Sequence, residues 1–433
     1  MKFSKKKRQS KYFMIALILF AVCYFFFVLF PNRKAEVGLL GSLALVVLGQ
    51  ISWDTAFFEL VNWNVVGLFL GTLILAELFL LSRVPAVVSE WLVDRSSNAR
   101  TALMSIFILT SFISMFVENV AVVLLVGPVA MTLCEKLRIS AFKPMVLLAM
   151  FSNLQGTATL IGDPPSMIMG GYMKMTFNDF FVYQGKPSIF FIVQAGTIGA
   201  LLYAWYLLKD EKKQVKLIPV ETVRSWIPTL LLVLLIFILA LGSFIDKEMS
   251  WLAGIAAMGL AFIGMLWFWT GPRWIPVVEM LKNIDWKTTL FFASLFILVG
   301  AVQKAGWMDV AAKGLSSVLG ENKVIFFIVI IGLSILVSAF VDNVPFLLAA
   351  IPVVMDLAKI NQISVPFLMF ALLVGTCLGG NITPIGAAAN IVAVGILEKK
   401  GHPVSFGDYV PIGIKFTTCA VIPAAIVLWM IWA

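Results

Sequence analysis

Apolar stretches of about 17–25 residues recur from end to end of this chain, and two more run on for about 35 residues with an acidic residue near the middle. A stretch of that length crosses a hydrocarbon core of about 30 Å as helix. Without water, only helices and closed barrels satisfy a spanning backbone. Hydrophobic residues make up 61% of the 433 and charged residues only 13%, with a mean hydropathy of +1.00. So few charges cannot cover a soluble protein of this size. The expected fold class is therefore an all-α polytopic membrane protein, with the lipid bilayer as its first partner.

The first apolar segment, 12–30, follows the basic tail MKFSKKKRQSK. Its length, the PNRK that follows and the lack of a small-residue cleavage site predict a retained helix rather than a signal peptide. The formal net charge of +9 comes from basic residues in short loops and in the tail. Retention of cytoplasmic loops explains them, and no nucleic acid partner is expected. Cys23, Cys134, Cys377 and Cys419 lie in or beside apolar segments without metal-like spacing and read as structural thiols. The single histidine, His402, is in a loop, which argues against zinc hydrolase and serine–histidine chemistry.

The chain repeats itself. FVENV at 116–120 returns as FVDNV at 340–344, and Pro128 returns as Pro352, both at an offset of 224 residues. GTATLIGDPPS at 156–166 returns as GNITPIGAAAN at 380–390 at the same offset, and VNWNVVGLF at 61–69 resembles IDWKTTLFF at 284–292 at 223. TFNDFF at 176–181 resembles SFGDYV at 405–410 after a five-residue insertion. A near-constant offset predicts a tandem duplication, 12–208 and 226–433, joined by a charged linker at 209–225.

Hydropathy predicts spans near 12–30, 37–52, 64–82, 144–173, 188–208, 226–245, 250–269, 286–302, 365–397 and 410–432. The long stretches 101–135 and 323–358 have arms of about 15 residues, about 22 Å as helix, which is short of the hydrocarbon core. They suit re-entrant hairpins; a pair of short spanning helices with a surface turn is the alternative. Either way five spans separate them, so the halves are inverted, each with five transmembrane helices, a hairpin and one broken helix. With the first hairpin cytoplasmic, inside loops carry 18 Lys/Arg and outside loops seven, although the basic tail then lies outside.

A carboxylate near the bilayer midplane costs several kcal/mol unless it is paired, hydrated or neutralised. Glu118 and Asp342 are each followed by an asparagine, Asn119 and Asn343, where the second arm begins. Asparagine is a favoured N-cap, and the free N–H groups of the next turn point at whatever sits at the hairpin tip. The second matched element is a break within the spans 144–173 and 365–397. The first carries Gly156, Gly162, Pro164 and Pro165, and the second Gly379, Gly380, Pro384 and Gly386. Unwound backbone at membrane depth belongs against protein or a water-filled cavity, where its carbonyls bind cations and half-helix N-termini favour anions. Thr157, Thr159, Asp163, Ser166, Asn381, Thr383 and Asn390 add polar side chains to the candidate site. Na⁺ is expected at Asn119, Gly156, Asn343 and Gly380. Glu77 is expected at a subunit contact or reaching outward, and Lys415 reaching to the interface. Trp53, Trp63, Trp205, Trp226, Trp251 and Trp286, near span ends, read as interface anchors.

At these residues the chain resembles the ion transporter superfamily that includes arsenite permeases, the melanosomal P protein, NhaD-type Na⁺/H⁺ antiporters and Na⁺/dicarboxylate symporters, with a citrate-transporter-like domain. GTATLIGDPPS is most similar to the P-protein and arsenite-permease motif, and FVDNVPFLLAA to the second hairpin of the antiporter branch. The resemblance implies a scaffold domain, a mobile transport domain carrying hairpins and broken helices, a homodimer and a bacterial inner membrane. Here the tips read Glu118-Asn119-Val120 and Asp342-Asn343-Val344, where dicarboxylate symporters carry Ser-Asn-Thr.

The expected function is secondary transport of a small anion, arsenite-like, inorganic or carboxylate, coupled to Na⁺ or H⁺. A Na⁺/H⁺ antiporter with no anion is the alternative. No enzyme activity or cofactor is expected. No nucleotide-binding motif is present, so a separate ATPase subunit is neither excluded nor indicated.

Overall fold

A computed structural model describes residues 2–30, 33–215, 221–271, 274–320 and 322–433. The first half runs α1 (Lys2–Leu29), α2 (Lys34–Val47), a π-helical turn (Thr55–Leu60), α3 (Trp63–Leu81), α4 (Val84–Asp94), α5 (Ala99–Ser114), α6 (Asn119–Leu137), α7 (Phe142–Gly156), α8 (Pro164–Met173) and α9 (Ile189–Leu207). The second half follows the same order. It comprises α10 (Ile227–Gly242), α11 (Leu252–Thr270), α12 (Val277–Asn283), α13 (Trp286–Lys304), α14 (Trp307–Leu319), α15 (Lys323–Ser338), α16 (Asn343–Ile360), α17 (Val365–Gly379), α18 (Ala388–Lys399) and α19 (Phe406–Trp432). A two-residue hairpin, Val182–Tyr183 with Lys186–Pro187, precedes α9; its turn residues Gln184 and Gly185 both have positive φ.

Among the described residues eight helices are long and apolar enough to cross a membrane. Short amphipathic α4 and α14 were not expected. Neither is long enough to register as a span, and each carries charged residues, such as Glu90 and Asp309. The two stretches read as broken spans are each two helices: α7 stops at Gly156 and α8 restarts at Pro164, while α17 and α18 are separated by a 3₁₀ turn and an extended segment. Prolines at the start of α8 lack the N–H that a helix interior needs, so restarting is the arrangement that satisfies them.

Polar caps set several helix starts. Asn62 accepts from the Val65 N–H and Asp285 from the Thr288 N–H, so α3 and α13 begin alike. Asn98 and Thr101 form a reciprocal capping box on α5. The linker contributes too: the carbonyls of Lys213 and Glu211 accept from the Ala99 and Arg100 N–H groups, and Lys213 Nζ donates to the carbonyls of Leu137 and Arg138. Its described part thus ties the outer ends of α5 and α6 together.

Lipid tails supply no hydrophobic drive between helices, so tight van der Waals packing at small residues does the joining. Helix α3 packs on α11, α13 on α2 and α9 on α19. A methyl at Gly71 would stand 2.5 Å from the Ala257 carbonyl carbon, and at Gly196 2.7 Å from the Ala420 oxygen. The arms α7 and α17 are buried almost throughout and form the centre. The crossing is reciprocal, with α18 against α6 and α7, and α8 against α16 and α17. All six tryptophans read as interface anchors are exposed.

Two predictions follow from this packing. Gly71→Val drives a side chain into unyielding backbone and lowers stability by about 1–3 kcal/mol, whereas Gly259→Ala, with nothing within 4 Å, is neutral or better; detergent-solubilised melting temperatures check both. Asp246, between α10 and α11, is buried, which pushes its carboxyl up. Hydrogen bonds from the N–H groups of Leu252, Ser250 and Trp251 and the Ser250 hydroxyl outweigh this and hold it below the usual carboxylate range. Its stabilisation is present above the unfolded pKa of about 3.9 and is lost as pH falls through the lower folded value. The melting-temperature gap between wild type and Asp246→Ala is therefore full at neutral pH and closes in acid.

Candidate functional site

Each hairpin tip is a short turn that places an acid at the N-cap and an asparagine at the first helical residue. Glu118 accepts from the Ala121 N–H at 3.1 Å, and Asp342 from the Val344 N–H at 3.4 Å. The acid therefore caps, not the amide as the sequence suggested. This frees Asn119 and Asn343, both nearly fully buried, to turn back across the tip. Asn119 Oδ1 lies 2.8 Å from Ser114 Oγ, which also lies 2.8 Å from the Ser152 carbonyl. Asn343 Oδ1 accepts from Ser338 Oγ at 2.5 Å, and that hydroxyl lies 2.6 Å from the Thr376 carbonyl. Sequence reasoning passed over Ser114 and Ser338. Their signal was available, since each opens a repeated phrase at the offset of 224.

The breaks fold against these tips. A methyl on Gly162 would stand 2.5, 2.7 and 2.9 Å from the carbonyl oxygens of Gly156, Ser114 and Met115. On Gly386 it would meet those of Gly380, Ala339 and Ser338 at 2.5, 2.9 and 2.9 Å. A side chain on Gly156 would collide with Asn119 Oδ1, and one on Gly380 would stand 2.8 Å from Asn343 Oδ1. Each half thus gathers a cradle of three carbonyl oxygens around its second glycine and an amide oxygen against its first, positions where only glycine fits. Thr159 and Thr383 hold the cradles closed by donating to the carbonyls of Met115 and Ala339.

Other predicted polar residues brace the breaks. Thr157 donates to the Asn153 carbonyl, and Ser166 to the Thr157 carbonyl. Asn390 Nδ2 lies 2.9 Å from the Gly380 carbonyl and 3.1 Å from that of Thr383. Asn153, which has no amide counterpart in the second half, joins the two breaks: its Nδ2 is 2.8 Å from Asn381 Oδ1 and 2.9 Å from Asn390 Oδ1. Asn381 in turn donates to the Met150 carbonyl.

Both tips open on one cavity of 190 Å³, lined by Glu118, Asn119, Asn153, Asp163, Asp342 and Asn343 among others. The first residues of α6, α8, α16 and α18 all reach it, so four helix N-termini converge there. Glu77 and Asp285 also line it, and Glu77 accepts from Asn283 at 2.9 Å. Glu77 therefore faces the site rather than a subunit contact or the membrane surface: Asn283 and the cavity offer it polar company that lipid does not. Among the described residues no group of three His, Cys, Asp or Glu side chains converges as a metal site. The cradles instead offer neutral oxygens, which suit a hard monovalent cation.

The sequence matches the citrate transporter family over residues 24–375 and 253–433. This chain belongs to that family. It is an integral membrane transporter, not an enzyme. An uncharacterized transporter of Mycobacterium bovis is 28% identical over 425 residues, covering 96% of this chain and 98% of the relative. A 46 kDa membrane protein of Mycobacterium leprae is 29% identical over 434 residues with the same coverage. The P protein of Sus scrofa is 24% identical over 92% of this chain, but only 57% of its own length is matched. Among solved structures, the Alcanivorax borkumensis YdaH transporter has a TM-score of 0.59 at 14% identity, covering 98% of this chain and 97% of its own. The Neisseria gonorrhoeae MtrF structure has a TM-score of 0.55 at 12% identity, covering 96% and 94%. These two show the fold.

Asn153→Ala leaves two buried amide oxygens without a donor, at about 1–3 kcal/mol in all. Its melting temperature should fall well below that of Cys377→Ala, the matched position in the second half.

Proposed function

We propose that this transporter couples cation binding at the two carbonyl cradles to movement of a small anion held at the shared cavity. The observation that carries the reading is that both hairpin tips, with their acids and asparagines, and four helix N-termini line one cavity, while the carbonyl cradles lie behind the tips, outside its lining. The cradles favour Na⁺, with Asn119, Gly156, Ser114 and Met115 as oxygen donors in the first and Asn343, Gly380, Ser338 and Ala339 in the second. The N-termini favour a negative group. The four converging N-termini, at a cavity of 190 Å³, favour an inorganic anion or a small carboxylate as the cargo.

Coupling has an electrostatic cause. A bare carboxylate 4 Å from an anion repels it by about 4 kcal/mol at an effective dielectric of 20, on the order of a thousandfold in affinity. Cation binding beside Glu118 and Asp342 lifts that barrier, so anion and cation load together. Transport then proceeds by moving hairpins and broken helices against α2, α3, α11 and α13, in a homodimer in a bacterial plasma membrane.

Proteoliposomes test this. An inward Na⁺ gradient should drive uptake of a small anion; Gly162→Ala and Gly386→Ala should each weaken apparent Na⁺ affinity by tenfold or more; and Glu118→Gln should abolish coupling. Na⁺-driven proton movement with no anion present would replace this reading with an antiporter. Full coupled uptake by Glu118→Gln and Asp342→Asn would remove it altogether.

A further inference from the structure

The two acids are not equivalent. Lys34, the first residue of α2, places Nζ 2.6 Å from Asp342 Oδ2 across 308 residues of chain, and both side chains are largely shielded, at 21% and 31% exposure. Glu118 accepts from a backbone N–H, and among the described residues no Lys or Arg forms an ion pair with it. The helix that corresponds to α2 supplies no substitute. Gly38 of α2 packs on Ser294 as Ala257 of α11 packs on Gly71, and Gly71 and Ser294 are matched at the offset of 223. Four residues before Gly38 stands Lys34; four before Ala257 stands Ala253.

Lys34 also stands where two cavities meet. The 190 Å³ cavity and a neighbouring one of 650 Å³ both include Asp342, Asp285 and Thr288, and the larger one adds Lys34 and Lys287. The charged groups near Asp342 are thus Lys34, Lys287 and Asp285 on one side and Glu118, Asp163 and Glu77 on the other. The Tyr24 hydroxyl fastens the same corner by donating to the Pro345 carbonyl at 2.6 Å. Helices α1 and α2 are therefore seated directly on the second hairpin.

We propose that Lys34 is a tethered cation. Its ammonium takes, at Asp342, the position that an ion from solution takes at Glu118, so Lys34 sets how many cations the transporter binds in this conformation. The proposal rests on the cation-coupled reading above. It adds that the two acids load differently: Glu118 draws its cation from water and Asp342 uses the protein's own, while both carbonyl cradles still take Na⁺. Arginine would form the same pair, but a neutral side chain of similar length would leave Asp342 to an external ion.

The test uses the purified full-length protein in detergent, with NaCl replacing choline chloride at constant ionic strength. The dependence of stability on the logarithm of Na⁺ concentration reports the number of Na⁺ bound by the folded state. Lys34→Met should raise that number by about one and Lys34→Arg should keep it. Glu118→Gln should lower it by about one, while Asp342→Asn should not. A wild-type number in Lys34→Met overturns the proposal. So does an Asp342→Asn loss equal to that of Glu118→Gln, a comparison that decides alone if Lys34→Met does not fold. If the cation-coupled reading itself fails, the pattern differs: wild type, Glu118→Gln, Gly162→Ala and Gly386→Ala all show no response to Na⁺.

Discussion

A polar group inside a membrane has to find its partner within the protein, and almost every detail of this site follows from that constraint. Four helices stop at mid-chain breaks, which leaves carbonyls and N–H groups free at depth. The protein covers part of this need locally, with threonines 159 and 383 reaching the tips' carbonyls and serines 114 and 338 bridging tip and break. Beside Gly162 and Gly386 the backbone carbonyls of tip and break gather into the oxygen cradles. The same requirement that makes a break expensive brings both hairpin tips and four helix N-termini to one small cavity.

The two halves carry matched tips and breaks but differ at particular residues. At matched positions the first half has Asn153, Asp163 and Ser166 where the second has Cys377, Ala387 and Asn390. Asn153 reaches across to Asn381 and Asn390, so the halves are joined by a hydrogen-bonded seam that neither could form with a copy of itself. Glu77 faces the cavity, whereas its matched position is Gly300, packed against Leu60. These substitutions make the two halves of the cavity chemically distinct.

The likeness of fold to transporters at 12–14% identity has a simple basis. In lipid the helix contacts depend on small residues at a few crossing points and on the placement of breaks, and most remaining positions need only be apolar. Sequences can therefore drift far while α3 still crosses α11 and α9 still crosses α19.

Much of this was readable from the chain alone. Hydropathy established a membrane-embedded all-helical protein, and the repeat offset singled out both acid–asparagine pairs and both glycine–proline breaks, because these features are local and leave periodic marks. The tertiary structure decided the rest. Spacing could not tell whether Glu118 or Asn119 would cap α6, since both are adequate caps and the choice depends on Ser114 and Gly156 packing behind the tip. Nor could it foresee Glu77 turned to the cavity, α4 and α14 lying beside the hairpins, or Lys34 paired with Asp342. A charge separated from its partner by 308 residues carries no mark of that partner in its neighbours; only the packing of α2 against α13, and of both against the second hairpin, brings the two together.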